Sequence, residues 1–336
     1  MSMKCVTLAI PTHNRCALLA QTLESLRSLR VPAGVDVHLV VVADACTDDT
    51  AAVATEGFKE LPFAAQLETV QYRNVNRGRN RCVELAAGDV VIFLDDDVWA
   101  DPGLLEGHLE VFETTPASIT AGQIELWWRD ATRPPWMSDQ TATLLTERHF
   151  DAGPPRRLTR PWDAAGANFA LRREAVQRVG WFKPGLCRSG ASLLGGGETE
   201  WNRRALAAGL ELWSAPRAHV LHYVTPKRVE TPDYVLGVAR GLGESHIYMK
   251  DAFPVTEVAR QLVGRTGLGV LHAARAGLAK LRGDRRGEVD ALVGLNLCLG
   301  AIAGTVTRVR GRSPVRRTDT PAEPLTVPAS RGVSAS

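Results

Sequence analysis

Short apolar runs alternate with helical periodicity through the first 120 residues. Residues 6–10 are apolar and stop at Pro11. Residues 37–43 are nearly all apolar and β-branched, the pattern of a strand buried on both faces. Residues 67–72 and 89–94 predict a third and a fourth strand. Between them, Leu18, Leu19, Leu23, Leu26 and Leu29 mark a helix over 17–29. Further helices are predicted over 48–58, opened by Asp48 and Asp49 at its positive end, over 78–87, and over 102–113 with Pro102 in the first turn. Strands separated by helices predict an α/β fold, a mostly parallel sheet with helices on both faces. Such sheets bind ligands beyond the carboxyl ends of their strands, which selects the segments after Ile10, Val42 and Leu94.

The pattern then loosens. Residues 127–163 hold Trp127, Trp128, Trp136, Trp162 and several prolines, and are expected to form a long loop or lid with aromatic walls. A strand over 168–171 and a helix over 172–179 follow. Gly195, Gly196 and Gly197 form a flexible turn into a helix over 198–208, closed by Gly209. Residues 212–223 predict one or two strands, 233–250 a helix, and 255–310 two basic helices broken near Gly283. The last 25 residues, rich in Pro, Ser, Thr and Arg, read as disordered. The division expected is a catalytic domain over 1–250, a basic helical extension over 251–312 and a tail over 313–336.

Composition narrows the class without naming it. The chain is 45% hydrophobic and 23% charged, as globular proteins are, and its net charge of +3 is too small to suggest nucleic acid. The charge is uneven: residues 255–317 carry 12 Lys/Arg against 4 Asp/Glu, a net of +8. That excess, with apolar helical faces, predicts peripheral association with an anionic membrane surface or packing on the catalytic domain. The 16-residue apolar run 291–306 falls short of the ~20 residues of a spanning helix. Six cysteines without a CxxC pair, and no signal peptide in residues 1–10, predict free thiols and a cytoplasmic setting, at or near the inner face of the membrane.

The chemistry concentrates at Asp95, Asp96 and Asp97, which directly follow the fourth strand. Three adjacent carboxylates repel one another unless a cation neutralises them, and a hard ion such as Mg²⁺ takes carboxylate oxygens together with substrate phosphates. A solvated acidic turn is the plainer alternative. A second acidic turn over 44–49 opens on the same edge, with Asp44 available to a base or ribose and Asp48 and Asp49 as helix caps. Glu198 begins a helix after three glycines. Glu200 has Arg204 four residues on as a partner, whereas Glu198 lacks one and suits a general base or, alternatively, a dipole-stabilising carboxylate. His219 and His222 sit near the end of a late strand, His222 as a metal or phosphate ligand or as a structural histidine.

Taken in order, PTHNR, VVADACTDDT, RN before AAGD, FLDDD, GETEWNRRALAAG and a later histidine resemble the inverting family 2 glycosyltransferases of GT-A fold. The resemblance covers about residues 4–250 and implies a nucleotide-diphosphate sugar donor, a glycan or lipid-linked acceptor, a divalent Mg²⁺ or Mn²⁺ and a place in polysaccharide biosynthesis. Pro11, Thr12 and Asn14 would border the nucleotide, with Asp44 against the base and Arg79 and Asn80 beside the nucleotide or diphosphate. Asp95 would face the ribose, with Asp96 on the donor side. Asp97 would hold the metal with His222 nearby, and Glu198 would be the catalytic base. Two positions depart from the family pattern: Gly197 stands where an acidic residue is common, and Ala-Asp-Ala-Cys replaces the commoner Asp-Asp-Gly-Ser.

Two other readings use the same features. A sugar-nucleotide-forming nucleotidyltransferase needs a Gly-rich basic loop after the first strand, where this chain has Pro11-Thr12-His13-Asn14. A non-catalytic nucleotide-sugar-binding protein has no use for the Asp95, Asp97 and Glu198 set. A dinucleotide dehydrogenase is excluded because no GxGxxG follows the first strand.

Overall fold

The structure, a computed structural model, describes residues 5–187 and 193–314. The expected tail, from residue 315 onward, lies outside the described residues. In chain order the first half contains β1 (Cys5–Thr12), α1 (Cys16–Leu26), β2 (Asp36–Asp44), α2 (Thr50–Phe58), β3 (Ala64–Val70), α3 (Val75–Leu85), β4 (Val90–Leu94), β5 (Val98–Ala100), α4 (Leu104–Thr114) and β6 (Ile119–Trp127). The second half contains α5 (Asp139–Ala142), β7 (Arg157–Leu158), β8 (Asn168–Arg172), α6 (Arg173–Val179), α7 (Gly197–Ala207), β9 (Leu212–Tyr223), α8 (Asp233–Tyr248), α9 (Val255–Leu281) and α10 (Arg285–Val309).

One nine-stranded sheet organises these elements in the order β3-β2-β1-β4-β8-β6-β9-β5, with β7 beside β9. β1 to β4 pair in parallel, and β6 pairs in parallel with β9, while β8 and β5 run against their neighbours. The alternation of side chains sorts the core into two layers. Val6, Leu8, Ile10, Val90, Ile92 and Leu94 pack toward α1, α2 and α4. Ala9, Val91 and Phe93 pack toward α3, α6 and α7. Because both faces are covered, β1, β2 and β4 have continuous apolar sequences. Their carboxyl ends bring residues 12–15, 44–49 and 95–97 to one edge.

Aromatic packing fixes α7 against that sheet. Phe93 stacks on Phe169 with centroids 4.9 Å apart, and Phe182 stacks on Trp201 at 5.2 Å. The Trp201 indole donates to the Gly180 carbonyl at 2.7 Å. The start of α7, with Glu198, is therefore held one turn from a buried anchor.

Segment 127–163 differs from the expected lid. Trp127 ends β6, and Trp136, Met137 and Leu145 are buried in a small core with Leu126, Val224, Val235 and Val289. The aromatic and apolar side chains that suggested a wall are the packing of this subregion, and of the segment's tryptophans only Trp162 stands exposed.

The C-terminal helices form a packed unit in which α8 and α9 both lie along α10. The approach of α8 is close at Gly300, where a Cβ would lie 1.9 Å from the Arg240 carbonyl oxygen. The apolar run 291–306 is short, but the helix that contains it has 25 residues, so among the described residues α10 has the length and composition to cross a membrane. Within that apolar window 44% of the residues are buried inside the protein, against α8 and α9.

Candidate active site

The carboxyl end of β4 meets the end of β1 through hydrogen bonds. Thr12 Oγ1 donates to Asp96 Oδ2 at 2.6 Å, and Arg15 Nη1 donates to Asp96 Oδ1 at 3.0 Å and to Asp97 Oδ2 at 2.5 Å. Asp96 is thus turned toward β1, and its burial pushes its carboxyl up to about 6 against the pull of Arg15. Burial also raises Asp95, with the Asp97 charge adding to it. Burial acts the same way on Asp97, but the neighbouring His222 and Arg15 outweigh it and hold that carboxyl well below the usual range.

His222 reaches the same point from β9. Its Nδ1 lies 3.0 Å from the Leu145 carbonyl oxygen, which only accepts, so Nδ1 carries the hydrogen and donates. Nε2 then faces Asp97 Oδ1 at 3.1 Å. Apart from that contact the oxygen is buried without a hydrogen-bond partner among the described residues. Burial lowers the imidazole pKa, yet the Asp97 charge outweighs it and raises it. Two lone-pair atoms facing each other in a buried setting require a proton or a cation between them. Asp95, Asp97 and His222 each offer an atom within 4.8 Å of the others, a donor set of two carboxylates and an imidazole that fits a divalent ion. His219, by contrast, sits partly exposed beside Glu125 at 3.4 Å, away from this cluster.

The other expected donor-side residues divide into those open to a ligand and those already engaged. Pro11 is buried beneath the loop after β1, and Asn14 is exposed, with its Oδ1 accepting from the backbone N–H of Thr47 at 2.6 Å. Asp44 is engaged differently from the expectation. Its Oδ1 accepts from the N–H groups of Tyr72 and Arg73 at 2.6 and 2.8 Å, and its Oδ2 from that of Asn74 at 2.6 Å. It ties the end of β2 to the start of α3, leaving little acceptor capacity for a base. Asn80 is engaged on both sides: its amide donates to the Phe182 carbonyl and its oxygen accepts from the Phe182 N–H, each at 2.9 Å. Both bonds clamp Asn80 to the chain leading toward α7.

Arg79 and Glu198 meet across the site. Arg79 is buried, donates from Nη1 to Asn76 Oδ1 at 2.9 Å, and lies 3.4 Å from Glu198 Oε2. Glu198, expected to lack a partner, has a cationic one from a helix distant in sequence. Glu200 is buried and pairs with Arg204 at 2.9 Å, as its spacing predicts, and also with Lys183 at 3.0 Å. The departure at Gly197 has a steric cause. A Cβ there would lie 2.1 Å from the Asn76 amide nitrogen, and Asn76 is fixed by donating to the Lys183 carbonyl at 2.8 Å.

Sequence reasoning missed Arg15, Asn76 and Arg148. Arg148 is drawn to the Glu198 side, where burial lowers its pKa against the charges of Asp163 and Glu198. Arg15 carried a usable signal, since it lies in a strand-end loop on the binding edge facing three carboxylates. Asn76 and Arg148 carried none, because Asn76 acts through the Lys183 and Leu186 carbonyls and Arg148 through the distant Glu198.

This fold has known counterparts. A mannosyltransferase from Pyrobaculum calidifontis, solved with GDP-Man and Mn²⁺, superimposes with a TM-score of 0.58 over 89% of this chain and 87% of its own, at 16% identity. The succinoglycan biosynthesis protein ExoM of Rhizobium meliloti is 30% identical over 229 residues, 66% of this chain and 68% of that protein. The glucosyl-dolichyl phosphate glucuronosyltransferase of Haloferax volcanii is 23% identical over 179 residues, 52% of this chain and 51% of its own. The sheet and its helices have the GT-A fold, and the named relatives in sequence make the chain a glycosyltransferase. The profile of glycosyl transferase family 2 matches residues 7–180, and the chain belongs to that family.

Proposed function

We propose that the enzyme transfers a sugar from a nucleotide-diphosphate donor to an acceptor hydroxyl with inversion, in a reaction that depends on Mg²⁺ or Mn²⁺. The observation that carries this reading is the convergence of Asp95, Asp97 and His222, whose ligand atoms lie within 4.8 Å of one another at the carboxyl edge of the sheet. A divalent ion held by Asp97 and His222 supplies charge neutralisation to the departing diphosphate. Asp95, Asp96, Pro11, Thr12 and Asn14 border the donor, and Arg15 offsets the charge of Asp96 and Asp97. Glu198 accepts the proton of the acceptor hydroxyl as its oxygen attacks the anomeric carbon. The bond to the diphosphate oxygen breaks in that same displacement, so the centre inverts. Arg79 keeps the Glu198 carboxylate at the sheet edge.

A glycan or lipid-linked acceptor is supported by the names of two relatives, one a succinoglycan biosynthesis protein and the other acting on a dolichyl phosphate glycolipid. On this reading the enzyme serves polysaccharide biosynthesis at the cytoplasmic side of a membrane. Residues 1–250 form the catalytic unit and 251–312 an accessory extension. Thermal melting against a panel of GDP- and UDP-sugars, with and without Mn²⁺, tests the donor class. The expected result is stabilisation by at least one sugar nucleotide only when metal is present. No shift with any of them under any metal would overturn the proposal.

A further inference from the structure

Ten of the twelve exposed large hydrophobic side chains among the described residues lie on α9 and α10, seven of them on α9. On α9 they are not scattered. Gln261, Gly269 and Ala276 are buried against α10, and the opposite side of the helix presents Val263, Val270, Leu271, Leu278 and Leu281. Leu281 is 87% exposed, Val263 75% and Val270 67%. Exposed apolar side chains aligned on one helix face form a contiguous patch, unlike the single scattered ones of an ordinary solvated surface.

The charges beside the stripe are of one sign. Arg275, Lys280 and Arg282 are exposed along it. The single acid of α9, Glu257, is bound to Arg260 at 2.8 Å and to Lys250 at 3.1 Å. A second copy of the chain is a poor occupant, because face-to-face pairing would set these cationic rows against each other. An anionic bilayer surface satisfies both features, since the apolar stripe enters the headgroup boundary while the flanking cations meet phosphate.

We infer that the outer face of α9 is a docking surface for anionic membranes, with α10 as its support and not as a spanning helix. The hairpin is also tied to the catalytic edge. Asp290 of α10 accepts from Ser138 and Thr141, each at 2.6 Å, and the same segment supplies the Leu145 carbonyl to His222. Docking at α9 thus holds the His222 edge of the catalytic site close to the bilayer, where a lipid-linked acceptor resides. This meaning rests on the acceptor class proposed above, but the surface is tested without it.

The experiment is flotation of the full chain with vesicles of phosphatidylcholine, with or without phosphatidylglycerol, alongside a V263D/V270D/L278D variant. These positions are exposed, so the variant keeps its fold, and metal-dependent donor hydrolysis on the same preparations reports that fold and the enzyme activity separately. The expected result is flotation only with the anionic vesicles, release by high salt, and partition of the variant weakened by at least about tenfold with hydrolysis intact. Four results would overturn the inference: no flotation of the full chain, equal flotation of the variant, equal binding to neutral vesicles, or a dimer that the variant breaks. Resistance to both salt and alkaline carbonate would make α10 a spanning helix and would overturn it as well. Absence of metal-dependent hydrolysis in the wild type, with its flotation on anionic vesicles intact and weakened in the variant, would count against the proposed function and leave the docking surface standing.

Discussion

The side chain of Asn76 occupies the space that a Cβ on residue 197 would need, with its amide nitrogen 2.1 Å from that position. This contact couples α3 to the start of α7, and so sets where Glu198 stands relative to Arg79. Gly197→Ala should overpack the junction and cost about 1–3 kcal/mol in stability, with a fall in transfer because Glu198 moves. Asn76→Ala should also destabilise, since the Lys183 carbonyl loses its donor. The double variant should cost less than the sum by about 1 kcal/mol, as measured by chemical denaturation. Strict additivity would mean that the two residues are not in contact.

Glu198 and Glu200 are two residues apart and predict opposite phenotypes. Glu198→Gln keeps the shape and removes the base, so transfer should fall by about 10²–10⁴ with donor affinity nearly unchanged and the protein still folded, its stability lowered only by the weakened contact to Arg79. Glu200→Gln should leave the half-buried Arg204 and Lys183 without their anion and cost about 1–3 kcal/mol of stability. Transfer rates and melting curves of the two variants, measured together, decide it. A well-folded Glu198→Gln enzyme with normal transfer would contradict the assignment.

Stability should depend on pH through His108. This side chain is fully buried, with Nδ1 2.7 Å from Thr120 Oγ1 and Nε2 2.8 Å from Asn168 Oδ1. The Asn168 amide donates to the Gln123 and Ala218 carbonyls, so its oxygen must accept from His108 Nε2–H, and the neutral ring is satisfied on both sides. Burial lowers its pKa from 6.5 to about 4. The unfolded state then binds the proton first, so this contribution is complete above 6.5 and is lost as pH falls toward 4, by about 3 kcal/mol. Denaturation of the wild type and His108→Gln between pH 7 and 4.5 should show the wild type losing its advantage with acid. Parallel curves would exclude His108 as the cause.

Much of this architecture is legible in the sequence where the signal is local. β1, β2 and β4 are buried on both faces and read as unbroken apolar runs, and the break between α9 and α10 falls at Gly283. β6 was not legible, because residues 119–127 mix small, polar and apolar side chains across a register shift between Gly122 and Gln123. The tryptophans of 127–163 suggested a wall because composition does not distinguish a buried indole from an exposed one. At the site, the acidic cluster stands out because three adjacent carboxylates are costly. Arg79 facing Glu198 and Asn80 clamping Phe182 depend on contacts about 100 residues apart, which no periodicity encodes.

The central claim is that Asp97 anchors a divalent ion required for sugar transfer. Its most direct test is donor turnover in Mn²⁺ and in excess EDTA, for the wild type and for Asp97→Asn. The account predicts turnover only in the wild type with metal, and a variant that melts as a folded protein yet shows none. Undiminished turnover in EDTA, or in Asp97→Asn, would contradict it.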